Sequence, residues 1–543
     1  MLHSPLFSSA PPRPLRRFAG AAVALAIAAL VVAVLVTLLA AAGDAASASR
    51  QPDIVHLVVM TSIQAGLSTI FALVVGTALA WSLNRLRFFG RGLVVGLFAT
   101  AIVTPGLVLA FGLLAVWGRA GWVNQVATTL TGQPLEVPVF GLVGILMAHT
   151  ILDGAFAARI LLARLDTIAD RRLKTGQSLG LGPWQRFRLI DWPAMMPSLP
   201  GLAAVIFLLA FTSFPIVLLL GGGPANQTLE VAIYSAVRLD FDLRSGVTLA
   251  LVQIGICGVI VVLAAAAAPV SARVAPSRPS AWRDASWART LQWLVLGAAL
   301  VGFALPLLAI LTDGIAGLVQ DFASTRTPLL RRSAFWNSFS TSLLIGGTSA
   351  GLTLTLAILI SLARAATPGQ VERVAISAPA YAYLAVPAVV LSFGLFLIVR
   401  NAGIAPAQMA PVVVVLANAL LSLPFALATL APPMDAIIRT KGRLIRALDL
   451  GGLRQFIDIE WPLLRREAGV VVALSFCFSL GDLGVIALFG TQDFATLPLL
   501  MYRALGTYRT NDAAVIAAVL LLLTLVAFVL LPRLFSGPDH ADR

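Results

Sequence analysis

The sequence predicts an all-α polytopic membrane protein with 12 transmembrane helices, built as two parallel six-span repeats. Three observations carry that prediction: the composition, the spacing of the apolar runs, and an internal duplication. Of 543 residues, 59% are hydrophobic and 11% charged, and the mean hydropathy is +0.94. Soluble domains carry about 25% charged residues. The composition excludes a soluble enzyme, a disordered chain and a secreted disulfide scaffold. Cys257 and Cys477 lie 220 residues apart in apolar runs, which fits neither a disulfide framework nor a metal site. No metal ligand set is expected.

A spanning helix needs about 20 mostly apolar residues. Twelve runs qualify: 18–42, 56–81, 92–117, 137–160, 199–220, 247–270, 290–313, 338–363, 374–399, 409–431, 468–490 and 513–532. The first follows Arg13, Arg16 and Arg17 and precedes Ala46-Ser47-Ala48, as a signal peptide would. Its 25 residues exceed a signal core of about 7–15, so a retained first span is expected. The fourth run carries His149 and Asp153, and the ninth is interrupted by Pro379 and Pro387. Gly92/Gly96 and Gly347/Gly351 have the spacing that lets helices approach closely, so packing is expected there.

An even number of spans puts both termini on one side. That side holds 28 of the 38 lysines and arginines, and the opposite side 10. The positive-inside rule therefore places both termini in the cytoplasm. The net charge of +14 reflects this loop bias rather than nucleic-acid binding; the expected surroundings are a lipid bilayer.

Shifting the chain by 269 residues superposes two long inner loops. Ser178–Pro193 reads SLGLGPWQRFRLIDWP and Ala447–Pro462 reads ALDLGGLRQFIDIEWP, with seven of sixteen positions identical. The matches include Leu181/Leu450, Gly182/Gly451, Phe187/Phe456, Trp192/Trp461 and Pro193/Pro462. Asp166 also falls on Asp435. Residues 1–270 and 290–543 are therefore read as two halves with loops 166–193 and 435–462, joined by a Pro/Ser/Arg-rich linker at 271–289. Gly and Pro fix a helix–turn–helix course in each loop. Leu179, Leu181, Trp184 and Phe187 give the short element an apolar face, with Arg186 and Arg188 expected in water. An element presented twice suits a twofold-symmetric partner with a groove for each copy.

This repeated loop resembles the cytoplasmic "EAA" loop of the permease subunits of bacterial ATP-binding-cassette importers. Gly180 takes the motif's Gly, and Ile190-Asp191-Trp192-Pro193 and Ile459-Glu460-Trp461-Pro462 take its ending. Asp449 stands for the Gly in the second copy. Lys174-Thr175-Gly176 and Arg443-Leu444-Ile445 replace the Glu-Ala-Ala triplet, so the polar contact made by that Glu is replaced by a cation. A fused twelve-span chain resembles the thiamine and ferric-iron permeases. The stretch Ser479–Gly490 (SLGDLGVIALFG) and Tyr508–Ala514 favour the thiamine group.

The resemblance implies a type I importer permease fold in the bacterial inner membrane, carrying thiamine and its phosphates inward. It implies a homodimeric ATPase on the cytoplasmic loops and a periplasmic substrate-binding protein on the outer loops. Those outer loops carry Glu230, Arg238, Asp240, Asp242 and Arg244, and in the second half Asp493, Arg503, Arg509 and Asp512. No cofactor is expected in this chain, since ATP and Mg belong to the partner. The only lysines, Lys174 and Lys441, do not follow a Gly as a phosphate-binding loop requires. A ferric-iron permease and a twelve-span secondary transporter are the rivals; large inner loops after spans four and ten argue against the latter.

Charged groups inside apolar runs mark cavities or interhelical pairs. Asp482, whose repeat mate is Ser213, has room beside it at Gly481 and Gly484. Asp153 and His149 are four residues apart on one helix face. Asp482, Ser479, Ser213 and Asp153 are the expected cargo path, with Asp482 or Asp153 facing a cationic thiazolium.

Overall fold

The computed structural model describes residues 14–43, 53–135, 137–265, 282, 284–323 and 327–536. The proposed half boundary at 270, the linker up to 281 and Ala46-Ser47-Ala48 lie outside them. All regular elements among the described residues are helical.

The first half runs α1 (Pro14–Gly43), α2 (Ile54–Arg85), α3 (Arg91–Ala99), α4 (Gly106–Trp117), α5 (Trp122–Thr131), α6 (Leu142–Leu165) and α7 (Asp170–Ser178). It continues with α8 (Pro183–Arg186), α9 (Trp192–Met195), α10 (Leu199–Phe211), α11 (Pro215–Leu220), α12 (Leu229–Tyr234) and α13 (Leu243–Ala265). The second half runs α14 (Ser286–Ala323), α15 (Ser333–Ala366), α16 (Gln370–Ala382), α17 (Ala388–Asn401) and α18 (Pro406–Ala447). It ends with α19 (Gly452–Gln455), α20 (Trp461–Gly481), α21 (Gly484–Phe489), α22 (Leu497–Gly506) and α23 (Thr510–Phe535).

Among the described residues, ten helical segments are long and apolar enough to cross a membrane. The expectation of twelve differs at two runs. The ninth is represented by the shorter α17, and the eleventh by α20, whose first turns carry Arg465, Arg466 and Glu467. Four runs are broken, at the third and fifth positions of each half; only for the ninth was an interruption, at Pro379 and Pro387, expected. The causes are local. Pro105 and Pro387 cap the N-termini of α4 and α17, and Pro215 opens α11. Proline lacks an N–H and disfavours helix at the residue before it. Asp482 opens α21 by accepting from the N–H groups of Val485 (3.1 Å) and Ile486 (3.3 Å).

The halves interlock. Helix α1 packs on α15, α16 and α17 of the second half, and α14 packs on α2 and α4 of the first. Small residues permit this. A Cβ on Gly20 would lie 2.3 Å from the Ala363 Cβ, and one on Gly112 2.7 Å from the Pro306 carbonyl oxygen. The glycine pairs predicted for close approach are not used that way: a Cβ at Gly92, Gly96, Gly347 or Gly351 meets nothing within 4 Å. Spacing reveals which face glycines share, and only the fold decides what faces them.

Candidate functional site

The two repeated loops have one backbone course. After α7 the chain turns at Gly180 with φ +64°, and its repeat mate Asp449 turns with φ +46°. An L-residue pays roughly 1–2 kcal/mol in this region, least for Asp and Asn. Pro183 then starts α8 directly after Gly182. In both copies a π-helical turn follows, at Phe187–Asp191 and Phe456–Glu460. That turn carries the chain into Trp192-Pro193 and Trp461-Pro462.

Lys174 and Arg443 are exposed on these loops, as are Gly180, Gly451, Pro193 and Pro462. Leu181, Gly182 and Leu450 are half-buried. The aromatic residues split by copy. Trp184, Phe187 and Trp192 form a run of rings at 5.8 and 6.1 Å. They line an apolar groove of about 660 Å³ together with Trp81 of α2 and Trp287 of α14. In the second copy Phe456 meets Trp461 at 5.9 Å, and Trp461 meets Phe535 of α23 at 6.2 Å.

The loops are anchored by buried ion pairs that sequence reading missed. Arg186, expected in water, is fully buried. Its Nη1 donates to the Trp282 carbonyl (3.0 Å) and to Asp284 (3.4 Å), and its guanidinium lies 4.3 Å from the Trp282 ring centroid. Arg85 at the end of α2 pairs with Asp191 and lies 3.8 Å from Asp284. Gln292 of α14 donates to Asp284 at 2.7 Å. The sequence showed an Arg in a polar loop but not the linker residues that cover it.

The second copy uses different chemistry in the same places. Gln455 stands for Arg186 and donates to Glu460 at 2.6 Å; Glu460 stands for Asp191. Arg16 of α1 donates to Glu460 at 2.8 Å and to the Gly452 carbonyl at 2.6 Å. So the residues leading into α14 hold the first loop, and the start of α1 holds the second. The repeated Asp166 and Asp435 add a tie to the preceding helices. Asn84 donates to Asp166 (3.4 Å) and Arg364 to Asp435 (3.1 Å).

A cavity of about 190 Å³ lies where the halves meet. The breaks in the third and fifth runs of the first half form part of its wall through Thr104, Gly106 and Ser213. Helix α6 contributes His149, Asp153 and Phe156, while α18 and α20 contribute Phe425 and Phe478. His149 Nδ1 and Asp153 Oδ2 are 2.9 Å apart. Phe425 and Phe478 meet edge-on at 5.2 Å. Two predicted path residues, Asp153 and Ser213, are thus brought together.

Asp482 and Ser479 stand in a separate cluster. The Asp482 carboxylate caps α21, and Asn418 donates to Ser479 at 2.9 Å. This cluster adjoins the cavity wall, because a Cβ on Gly481 would lie 3.1 Å from the Pro105 Cβ. The three phenylalanines were missed. The duplication carried a signal for two of them, since Phe156 and Phe425 are repeat mates at the shift of 269, as are His149 and Asn418.

At the other end of the molecule the repeat is equally visible. Thr61 Oγ1 accepts from the Leu229 N–H (3.0 Å), and Ser342 Oγ accepts from the Leu497 N–H (2.8 Å). Several charges read as facing a binding protein are engaged within the fold. Glu230 is fully buried, and burial pushes its carboxyl up to about 8. Arg238 donates to the Gly490 carbonyl of the opposite half (2.9 Å), and Asp512 pairs with Arg332 (2.7 Å). Asp240, Asp493 and Arg509 stay exposed, and so do two aromatic residues, Phe241 (79% exposed, φ +55°) and Tyr508 (92% exposed, φ +56°).

No family model matches the chain. The thiamine transport system permease protein ThiP of Brucella melitensis is 34% identical over 475 residues, 88% of this chain and 86% of that protein. ThiP of Escherichia coli is 33% identical over 487 residues, 88% of this chain and 89% of its own length. The molybdenum transport system permease protein ModB of Azotobacter vinelandii is 31% identical over 169 residues, 31% of this chain and 74% of that protein.

Proposed function

The chain belongs to the family of ThiP thiamine transport system permease proteins, and on that premise we propose that it carries thiamine across the inner membrane as the permease of an ATP-driven importer. The observation that carries this reading is similarity to thiamine permeases along 88% of the chain, spanning both repeats. The cargo class includes thiamine phosphates. Twelve membrane crossings complete the type I arrangement, with α3 and α4, α16 and α17, α10 and α11, and α20 and α21 each making one broken crossing. Both termini lie in the cytoplasm.

The chain binds no cofactor, and its partner ATPase supplies the ATP and Mg chemistry. A homodimeric ATPase takes one repeated loop in each subunit. Lys174 and Arg443 face it, and Gly180 and Asp449 set the turn that presents each short helix. Trp184, Phe187 and Trp192 line the groove beside α2 and α14, and Leu179, Leu189, Leu448, Leu453 and Ile457, all strongly exposed, are further apolar residues for docking. ATP-driven closure of the ATPase moves both loops together. The buried pairs at Arg186 and Glu460 transmit that movement to α14 and α1, each of which packs on the opposite half. A two-state element biased at both ends is what alternating access requires.

On the periplasmic side a binding protein delivers cargo. Phe241 and Tyr508 occupy matching places on the two halves, and buried aromatic anchors dominate interface energetics. Cargo then passes the cavity at Asp153 and Ser213, with the Asp482–Ser479–Asn418 cluster behind its wall.

The test is complementation. A thiamine-requiring strain lacking its own thiamine permease should grow on limiting thiamine when given this chain with its ATPase and binding protein. Growth restored by the ATPase and binding protein without this chain would overturn the reading.

A further inference from the structure

We propose that the cavity between the halves is a transient binding site for a planar aromatic monocation, with Asp153 as counter-ion and Phe156 and Phe425 as its ring contacts. This rests on the thiamine reading above and deepens it, because thiamine carries one permanent positive charge on its thiazolium ring.

The chemistry of the lining points to such a ligand. Among the described residues, Asp153 is the cavity's only carboxylate, and no Lys or Arg lines it. Asp153 is 7% exposed and His149 3% exposed. An intramembrane carboxylate costs about 2.5–3.5 kcal/mol on insertion scales and is retained where it meets a partner or a pathway. Its one partner shown here is His149 Nδ1, while His149 Nε2 has no hydrogen-bond partner among the described residues. The site therefore holds a buried acceptor and an unused polar atom beside three aromatic rings. Ring faces attract a cation that has lost its water.

Size narrows the ligand. Pockets for drug-sized molecules enclose about 300–1,000 Å³. At about 190 Å³ this cavity takes one ring rather than a whole two-ring molecule. The thiazolium is the ring whose charge the lining complements. Duplication explains why the site is transient. Phe156 comes from α6 and Phe425 from α18, at the same place in each half. Movement of one half against the other separates them and dismantles the site, which releases the cargo.

The test uses the permease–ATPase complex in nanodiscs, without the binding protein, and labelled thiamine. Weak saturable binding is expected. The pyridinium analogue pyrithiamine, also a monocation, should compete, and uncharged thiochrome should not. Asp153→Asn should weaken binding about tenfold and Phe425→Leu about threefold, while Asp153→Glu restores part of the loss. Where Asp153→Asn does not co-purify with the ATPase, Phe156→Leu and Phe425→Leu, which keep the apolar volume, decide by the same criterion.

The inference is overturned if the complete importer takes up thiamine but the complex shows no saturable binding, if the variants bind as the parent does, or if thiochrome competes equally. Failure of the complete importer to take up thiamine would overturn the cargo reading instead.

Discussion

Two single residues show how physical chemistry constrains this chain. The first is the left-handed turn of the repeated loop. Gly180 has open space around its absent side chain, so substitution there costs only backbone strain. Gly180→Val should lower stability by about 1–2 kcal/mol, and Asp449→Gly should be neutral or mildly stabilising; thermal unfolding of the assembled complex measures both. The second is Glu230, buried beneath the outer surface with its carboxyl raised to about 8. The folded state holds that proton more tightly than the unfolded chain does. Its stability contribution is therefore complete below the ordinary value of 4.5 and is lost as pH rises through about 8. The parent should lose thermal stability across that window, and Glu230→Gln should flatten the loss. An equally steep decline in the variant would assign the pH dependence elsewhere. The turn was legible in the sequence, because Gly180 and Asp449 are residue types that tolerate positive φ. The burial of Glu230 was not, because a carboxylate in a loop-like stretch reads as solvated until the covering helices are known.

At the scale of elements, the account turns on α1 and α14. Each begins beside one repeated loop and packs on the half opposite its own. Breaking one partner of a buried pair costs about 3–5 kcal/mol, because the other charge is left uncompensated. Arg16 is 12% exposed at its side chain and Glu460 fully buried. Arg16→Ala should therefore loosen the second loop strongly, and Asp284→Ala the first. The expected outcome is ATP hydrolysis that persists with thiamine uptake reduced about tenfold, read by measuring both in one preparation. Uptake and hydrolysis falling in proportion would mean the pairs support assembly only. Gly20→Leu should separate α1 from α15, since even a Cβ there meets the Ala363 Cβ at 2.3 Å; loss of co-purifying ATPase or a lowered unfolding temperature would register it. The sequence made these helices legible as apolar runs and made the loops legible as repeats. It did not reveal the crossing of α1 and α14, because apolar periodicity says which face is buried and not against which neighbour. The interruption at Pro387 was legible in the sequence, whereas the long apolar stretch around Pro105 masked the break there.

At the scale of the whole molecule, duplication is the organising fact. It places Thr61 and Ser342 on matching backbone N–H groups, Phe241 and Tyr508 at matching turns of positive φ, and Phe156 and Phe425 in the lining of one cavity. It also tolerates divergence where chemistry allows, as when Arg186 donating to Asp284 in one loop becomes Gln455 and Arg16 both donating to Glu460 in the other. Much of the architecture could be read from the 269-residue shift. The cavity could be read only in part, because Asp153 and Ser213 were conspicuous as polar groups in apolar runs while phenylalanines in such runs are not. The central claim is that this chain is the thiamine permease of an ATP-driven importer. Uptake of labelled thiamine into proteoliposomes holding the chain with its ATPase tests it most directly. The account predicts uptake that requires both ATP and the binding protein. Uptake driven by an ion gradient without ATP, or ATP-driven uptake of ferric iron in place of thiamine, would contradict it.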